Sequence, residues 1–222
     1  SNFLYGTSFR MGYGNPNNGS ITLTNNYAYA YTPIEINSWQ KVVMTGNRFY
    51  QIGGNTGADA VITLPPNGQS VLSQYQINNN RYIYGRTFQD RPFYIKTPTS
   101  TTYSFAQWQG MGFDKTGTWS GATAASQALV KPTGVDIFYR PNKYERGRAH
   151  IVIYNYDKVP SVNIDLSKTG LASGQKFEIR NGENFKAPPI FAGTFSSPLV
   201  PVNLTNLPIA QPTGNTTIRN PE

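Results

Sequence analysis

The chain has 222 residues, of which 14% are charged, and its 19 lysine and arginine residues against 11 aspartate and glutamate residues give a formal net charge of +8. The lack of cysteine excludes disulfides and cysteine-based zinc sites, and no apolar run is long enough to predict a membrane-spanning helix. Abundant glycine, proline and tyrosine, with little helical periodicity, predict an all-β, turn-rich protein.

The composition also indicates where the protein works and what it binds. A sequence rich in asparagine, threonine, tyrosine and glycine, and poor in lysine and glutamate, is typical of a secreted or cell-surface protein. The positive charge favours an anionic partner, although solubility alone is a sufficient explanation for it. Because no helix-turn-helix, zinc-finger or RNA-binding aromatic motif is present, we expect a polysaccharide rather than nucleic acid.

The first clear pattern is a repeat that follows the aromatic, glycine-rich residues 1–18. The segments ITLTNNYA (21–28) and VVMTGNRF (42–49) can be superimposed with a constant offset of 21 residues. The matched pairs are Ile21 with Val42, Leu23 with Met44, Thr24 with Thr45, Asn26 with Asn47 and Ala28 with Phe49. A fixed period with alternating apolar residues predicts stacked coils of a parallel β-solenoid. An ordinary antiparallel β-meander is the alternative.

A third copy of the pattern follows after a longer interval. In QINNNRY (76–82), Asn80, Arg81 and Tyr82 stand where Asn47, Arg48 and Phe49 stand in the second copy, at an offset of 33 residues. We therefore predict a third coil with an insertion between residues 53 and 66. Strands are expected at 58–64 and 71–84, separated by a turn at 65–68.

The segment Val43-Met44-Thr45-Gly46-Asn47-Arg48-Phe49 resembles coils of the right-handed parallel β-helix of pectate-lyase-like secreted proteins. The resemblance covers residues 19–84 and implies a ladder of stacked turn asparagines, here Asn26, Asn47 and Asn80. Residues 1–18 hold no recognisable cap for an open solenoid end. We therefore expect the chain to be the C-terminal part of a longer protein, or one piece of a processed or assembled one.

Residues 85–131 have a different character. The stretch YSFAQWQ (103–109), followed by Gly112-Phe113-Asp114, is similar to segments that close many β-helix proteins. We expect Phe105 and Trp108 to form a hydrophobic lid on the last coil, with an aromatic binding platform as the alternative. Only residues 121–130 show a weak helical period.

The C-terminal part predicts a small antiparallel β-sandwich. Six short alternating segments separated by turns lie at 135–139, 150–156, 161–165, 176–180, 189–193 and 199–203. The pattern resembles the sandwich that follows catalytic domains in many carbohydrate-active enzymes. The predicted organisation is β-helix coils and a closing segment at 1–131, a β-sandwich at 132–206 and an irregular tail at 207–222.

Residues that could support catalysis are few. His150 is the only histidine and opens a predicted strand, so we expect a structural role and no zinc or acyl-transfer chemistry. The acids of the first half are Glu35, Asp59, Asp90 and Asp114, each isolated, and we expect turn or loop roles for them rather than a glycosidase pair. No cofactor or metal is expected, and whether the chain is an enzyme stays open.

Two groups of cations could bind a glycan. Arg48 and Arg81 occupy equivalent positions of two coils, and polysaccharide lyases of this fold use such bases, with Lys41, Arg86 and Arg91 also eligible here. The second group is the predicted loop 140–148. The candidate glycan contacts are Arg48, Arg81, Tyr82, Trp108, Arg140, Lys143, Arg146 and Arg148. Solvent-exposed, solubilising residues are the alternative for both groups of cations.

The sequence therefore favours binding or processing of an extracellular polysaccharide, anionic or neutral, by a non-catalytic C-terminal portion of a lyase- or hydrolase-like β-helix protein. The alternative is a structural subunit of a cell-surface or extracellular filament. In that case the partner is an upstream β-helix segment or a second copy of the chain.

Overall fold

A computed structural model describes residues 1–12, 18–52, 60–64, 72–85, 92–96, 100–121 and 130–207. Over these residues the protein is all-β, with 49% strand and 6% helix, and has both parallel and antiparallel sheets. It separates into two compact units, Ser1–Pro132 and Thr133–Glu222. Several sequence predictions lie outside the described residues: the turn at 65–68, the weak helical period within 122–129, the tail from 208, and Asp59, Arg86, Asp90 and Arg91.

The described strands of the first unit form three sheets that the chain visits in turn. Sheet A contains β1 (Phe3–Tyr5), β4 (Tyr27–Ala30), β7 (Arg48–Gln51), β10 (Arg81–Tyr84) and β13 (Thr118–Gly121). Sheet B contains β2 (Phe9–Met11), β5 (Ile34–Ile36), β8 (Ile62–Leu64), β11 (Phe93–Ile95) and β12 (Thr101–Tyr103). Sheet C contains β3 (Asn18–Thr24), β6 (Trp39–Thr45) and β9 (Tyr75–Asn78). One passage through sheets A, B and C is one coil.

Neighbouring coils pair in parallel, and the register predicted from the repeat is confirmed. Strand β3 pairs with β6 so that Ile21 lies beside Val42. Strand β7 pairs with β10 so that Arg48 lies beside Arg81. All strand pairs of sheets A and C are parallel, which excludes the antiparallel meander for these strands.

The interior of the first unit is filled by alternate residues of each strand. In β9, Tyr75 and Ile77 are buried whereas Gln76 and Asn78 are exposed, the two-residue period of a strand with one face inward. Corresponding residues of successive coils stack on one another inside the core. This stacking explains why the apolar positions recur with the coil period.

The stack of parallel strands ends in an aromatic cluster. Strand β12 pairs with β11 in antiparallel orientation and leads into the short helix α1 (Phe105–Gly110), which begins at a capping box formed by Ser104 and Gln107. Trp108 is fully buried and stacks on Phe93 of the last coil with ring centroids 4.7 Å apart. The predicted hydrophobic packing of Phe105 and Trp108 on the last coil is confirmed.

The described residues of the second unit form three antiparallel strand pairs. They are β14 (Val135–Pro141) with β15 (Ala149–Asn155), β16 (Ser161–Asp165) with β19 (Leu199–Asn203), and β17 (Lys176–Ile179) with β18 (Phe191–Thr194). A 3-10 helix (Leu166–Thr169) follows β16. The six strand positions predicted from the sequence are confirmed to within about two residues. A separate apolar cluster centred on Ile164, Val200 and Val202 forms the core of this unit.

Candidate functional site

The outer face of sheet A is the surface of the first unit on which charged and aromatic residues meet. Residues between the inward-facing positions Ala28, Phe49 and Tyr82 point away from the core, because successive side chains of a strand alternate. In chain order, the outer face of sheet A comprises Phe3, Tyr5, Tyr27, Tyr29, Arg48, Tyr50, Arg81, Ile83, Thr118 and Ser120. Its exposed members include Tyr5 on β1 and Arg81 on β10, whereas Tyr27, Tyr50 and Ile83 are buried.

The cationic part consists of two arginines in adjacent coils. Arg48 and Arg81 occupy the same register position of β7 and β10, which places their Cα atoms about 5 Å apart. Arg81 is exposed, and its guanidinium lies 5.8 Å from the ring centroid of Tyr50. No ion pair between described residues involves Arg81. Two forked donors at this spacing can engage negative groups that recur along an extended ligand.

The aromatic part presents a stacked pair of tyrosines. The rings of Tyr5 and Tyr29 are nearly parallel, with an interplanar angle of 12° and centroids 5.1 Å apart. The side chain of Tyr5 is 63% exposed, so one face of the stack borders solvent. Burial, with a contribution from Tyr5, raises the pKa of Tyr29, which therefore stays a neutral phenol at physiological pH. Tyr27 and Tyr50 pack edge to face and are buried.

A ladder of hydrogen-bonded amide side chains connects the residues that directly precede the strands of sheet A. The backbone N–H and side-chain amide of Asn26 both donate to Oδ1 of Asn47 at 2.9 Å. The same groups of Asn47 donate to Oδ1 of Asn80 at 3.0 and 2.8 Å. Asn2 begins the ladder by donating to Asn26, and Asp114 ends it by accepting from Asn80. Sequence reasoning missed Asn2, although it too directly precedes a sheet A strand.

Asp114 is the centre of a buried polar cluster. Its Oδ1 accepts from Asn80, while its Oδ2 accepts from the hydroxyl of Tyr82 at 2.7 Å and from Nε1 of Trp108 at 3.0 Å. Burial, together with the neighbouring Asp114 carboxylate, raises the pKa of Tyr82 well above its ordinary value. All four side chains are fully buried. The cluster joins the ladder to the closing helix.

This burial corrects the expectation that Tyr82 and Trp108 contact a glycan. Tyr82 pairs with the core residue Phe49 and faces inward, whereas its neighbour Arg81 faces outward. Adjacent residues of one strand point to opposite faces, so Arg81 and Tyr82 cannot serve one surface together. Trp108 likewise presents no exposed ring face.

The cations of residues 140–148 lie on the hairpin between β14 and β15. Asn142 shapes the connection by accepting from the backbone N–H groups of Tyr144 and Glu145 at 2.8 and 3.0 Å. Glu145 forms a 2.9 Å ion pair with Arg148. Tyr144, which sequence reasoning did not single out, is 90% exposed, and Nζ of Lys143 lies 5.6 Å from its ring centroid.

Glu35 is embedded in a charged network on the outside of sheet B. It forms ion pairs with Arg10 at 2.9 Å and Lys96 at 3.0 Å, and it accepts a hydrogen bond from Asn37. Burial alone raises the pKa of Glu35, but the hydrogen bonds of Lys96 and Asn37 and the charges of Lys96 and Arg10 outweigh it, so the pKa is lowered. Glu35 thus links coils from within strand β5, instead of the turn or loop role predicted for it.

The remaining predicted features lie as follows. His150 is exposed on β15, opposite Arg140. Across the described ranges, histidine, aspartate and glutamate side chains do not form a group of three that could ligate a metal ion. No helix in the part of the chain that the structure describes combines the length and apolar character that a membrane crossing requires.

Comparison with known proteins adds no relative to this picture. No protein-family model matches the chain, and no curated protein or solved structure matches it.

Proposed function

We propose that this protein binds an extracellular polysaccharide along the outer face of sheet A, as a secreted or cell-surface protein. In this proposal the first unit is the terminal part of a right-handed parallel β-helix of the pectate-lyase-like kind, and the second unit is a β-sandwich. The observation that carries the proposal is the register that aligns Arg48 with Arg81 on a face that also bears the Tyr5–Tyr29 stack.

The composition of this face suits an extended sugar polymer. The electron-rich face of an exposed tyrosine attracts the weakly positive C–H groups of a sugar ring, and the ring also shields apolar surface from water. Arginine forks match the geometry of carboxylates. Since Arg48 and Arg81 are separated by one strand spacing, a polymer that crosses the strands passes both guanidinium groups in succession. An acidic polysaccharide satisfies both kinds of contact.

We propose binding rather than catalysis for this face. The outer face of sheet A carries no carboxylate among its described residues, whereas glycoside hydrolysis commonly uses a pair of them. If this face were catalytic, its residues would suit arginine-assisted lyase chemistry better than hydrolysis. Turnover of uronate polymers, followed by the ultraviolet absorbance of the unsaturated product, is the test of that reaction.

Binding is tested with variants that each replace exposed or half-buried cations by alanine. Wild type, Arg81→Ala and the double variant Arg48→Ala/Arg81→Ala are titrated with a polyuronate and with a neutral glucan. Lys41→Ala is the control, since Lys41 is an exposed cation of sheet C in the same unit. We expect roughly a fivefold loss of polyuronate affinity for Arg81→Ala and a larger loss for the double variant. Equal affinity in all four proteins would overturn the proposal.

A second function, that of a structural subunit, is favoured by the edge strands. Strands β1, β2 and β3 are the end members of sheets A, B and C, so each has a paired neighbour on one side among the described strands. Such edges can add a further strand from another coil or another copy of the chain. Concentration-dependent assembly in sedimentation experiments, without affinity for any glycan, would favour this function over polysaccharide binding.

A further inference from the structure

We propose that the tip of the β14–β15 hairpin, residues 140–148, is a separate binding site for an anionic polysaccharide. The proposal deepens the proposed function, because it rests on the same class of ligand. It places a ligand-binding surface on the second unit and assigns the main contact with the sugar to Tyr144. The partner is recognised through carboxylate or sulfate groups borne on sugar rings.

Hydrogen bonds within the loop hold the tip of the hairpin. Strands β14 and β15 pair without interruption from Val135–Asn155 to Pro141–Ala149. Beyond the last pair, the backbone N–H of Asn142 donates to the carbonyl of Arg148 at 2.7 Å, and the Asn142 side chain holds the turn. Gly147 takes a positive φ of 86°, and a side chain there would meet Leu171 at 3.4 Å. The ligand therefore meets a structured loop and does not have to order one.

The exposed aromatic ring is the first half of the site. Tyr144 is 90% exposed, and its ring centroid lies 5.6 Å from Nζ of Lys143. A single exposed apolar residue is ordinary on a protein surface. Here the ring lies in the connection between β14 and β15, and in the sequence it falls between two cations, Lys143 and Arg146. A sugar ring can stack on it while its acidic substituent reaches a neighbouring cation.

The surplus of positive charge is the second half of the site. Four cations and one carboxylate give residues 140–148 a charge of +3. Glu145 pairs with Arg148, and no ion pair between described residues involves Lys143 or Arg146. Exposed His150 lies opposite Arg140 in the hairpin. The tip can therefore accept an anion without first breaking an internal pair at Lys143 or Arg146.

The composition of this tip favours a polysaccharide over other anionic partners. Binding to a lipid surface scales with the apolar area inserted, and Tyr144 is the one large exposed hydrophobic residue among residues 140–148. Single-stranded nucleic acid is held by several stacked aromatics along a basic groove, whereas this loop offers one ring. Three of the four cations are arginines, whose fork fits carboxylate or sulfate.

The test uses the complete chain and variants of surface residues. Tyr144→Ala and Lys143→Ala/Arg146→Ala are compared with wild type for binding to a polyuronate, a sulfated polysaccharide and a neutral glucan. The matched controls are Phe185→Ala and Lys176→Ala. Phe185 is a 64% exposed aromatic of the same unit beneath the guanidinium of Arg180, and Lys176 is an exposed cation. Unchanged circular dichroism and melting temperature establish that each variant is folded.

We expect each hairpin variant to lose roughly fivefold in affinity for the acidic polymers, whereas the controls keep wild-type affinity. A greater loss for the polyuronate than for the sulfated polymer identifies carboxylate as the ligand group, and the reverse identifies sulfate. Wild-type affinity of both hairpin variants for every acidic polymer overturns the inference. Preferential binding of the hairpin to anionic phospholipid vesicles or single-stranded DNA also overturns it.

The outcomes for the two sites can be separated. The same titrations are repeated in the Arg48→Ala/Arg81→Ala background. If that background binds like wild type while the hairpin variants lose affinity, the role of sheet A fails and the hairpin site stands. If only the sheet A substitutions reduce affinity, the proposed function stands and the hairpin inference fails.

Discussion

At the scale of single residues, Asp114 shows how a repeating hydrogen-bond pattern can be stopped. Asn26, Asn47 and Asn80 each donate to the next member of the ladder and accept from the previous one. A carboxylate only accepts, so Asp114 can receive Asn80, Tyr82 and Trp108 without requiring a further acceptor. Its positive φ of 44° is also one that aspartate and asparagine tolerate better than most residues. The residue thus suits the end of the ladder in both chemistry and conformation.

The substitution Asp114→Asn tests this role, since asparagine has nearly the same shape and tolerates the same backbone conformation. If Oδ1 keeps its bonds from Asn80, the new amide group faces Nε1 of Trp108, donor against donor. We expect the free energy of unfolding to fall by about 2–3 kcal/mol, measured by urea denaturation. Asp157→Asn, at an exposed turn residue, is the control and should change it by less than about 0.5 kcal/mol. Equal effects would contradict the assignment.

Glu35 gives the molecule an acid-sensitive contact between coils. Its pKa is lowered in the folded state below the ordinary value of 4.5, so its ion pairs contribute stability above that value. This contribution is lost as pH falls through the lowered pKa. We expect Glu35→Gln to reduce the melting temperature at neutral pH and to make little difference at about pH 3. A difference that stays constant over this range would contradict the prediction, and Glu178→Gln, in an exposed ion pair, is the control.

At the scale of elements, the strands of sheet A are held in register by two systems at once. The backbone pairs them in parallel, and the asparagine ladder fixes the residue that directly precedes β4, β7 and β10. A one-residue slip would move Asn47 away from Asn26 and Asn80 and would turn Phe49 out of the core. The ladder therefore specifies register in addition to stabilising each turn.

Asn47 is the middle of this ladder and should be its most sensitive member. Replacing it by alanine leaves the buried backbone N–H of Asn26 without its acceptor and removes the donors to Asn80 and Leu23. We expect Asn47→Ala to lower the free energy of unfolding by about 3 kcal/mol. Gln76→Ala, at an exposed position of β9, is the control. A urea midpoint no lower than that of the control would show that the ladder contributes little.

The coil register was predictable from the sequence because stacking imposes the same pattern on successive coils. The offset of 21 residues between Ile21 and Val42 states the register directly. The role of Asp114 was not predictable, since it lies in a turn and its partner Asn80 is 34 residues away. Tyr82 could have been placed correctly, because its alignment with Phe49 already implied an inward side chain. The exposure of Tyr144 depends on the hairpin's tertiary environment, which no local pattern encodes.

At the scale of the whole molecule, the net charge is +8, and the two surfaces proposed to bind sugar differ in how they combine charge with aromatic rings. The hairpin tip carries +3 beside one exposed ring, whereas the outer face of sheet A combines two arginines with a stacked pair of tyrosines. Charge attracts any polyanion from a distance, but it is screened by salt. Ring stacking acts only at contact and is little affected by salt. The salt dependence of the binding affinity therefore distinguishes long-range attraction of any polyanion from stacking contact with a sugar ring.

This difference predicts that two variants of sheet A respond differently to salt. The Debye length falls from about 10 Å at 0.1 M salt to about 3 Å at 1 M, so Arg81→Ala should weaken polyuronate binding at low salt and matter less at high salt. Tyr5→Ala removes the exposed ring of the stack with Tyr29 and should weaken binding by a similar factor at both. Titration calorimetry of both variants across this salt range, with Tyr31→Ala as the control at an exposed tyrosine outside the stack, measures the two contributions. If the effect of Tyr5→Ala disappears with added salt, tyrosine stacking does not contribute to recognition, and binding to this face is electrostatic alone.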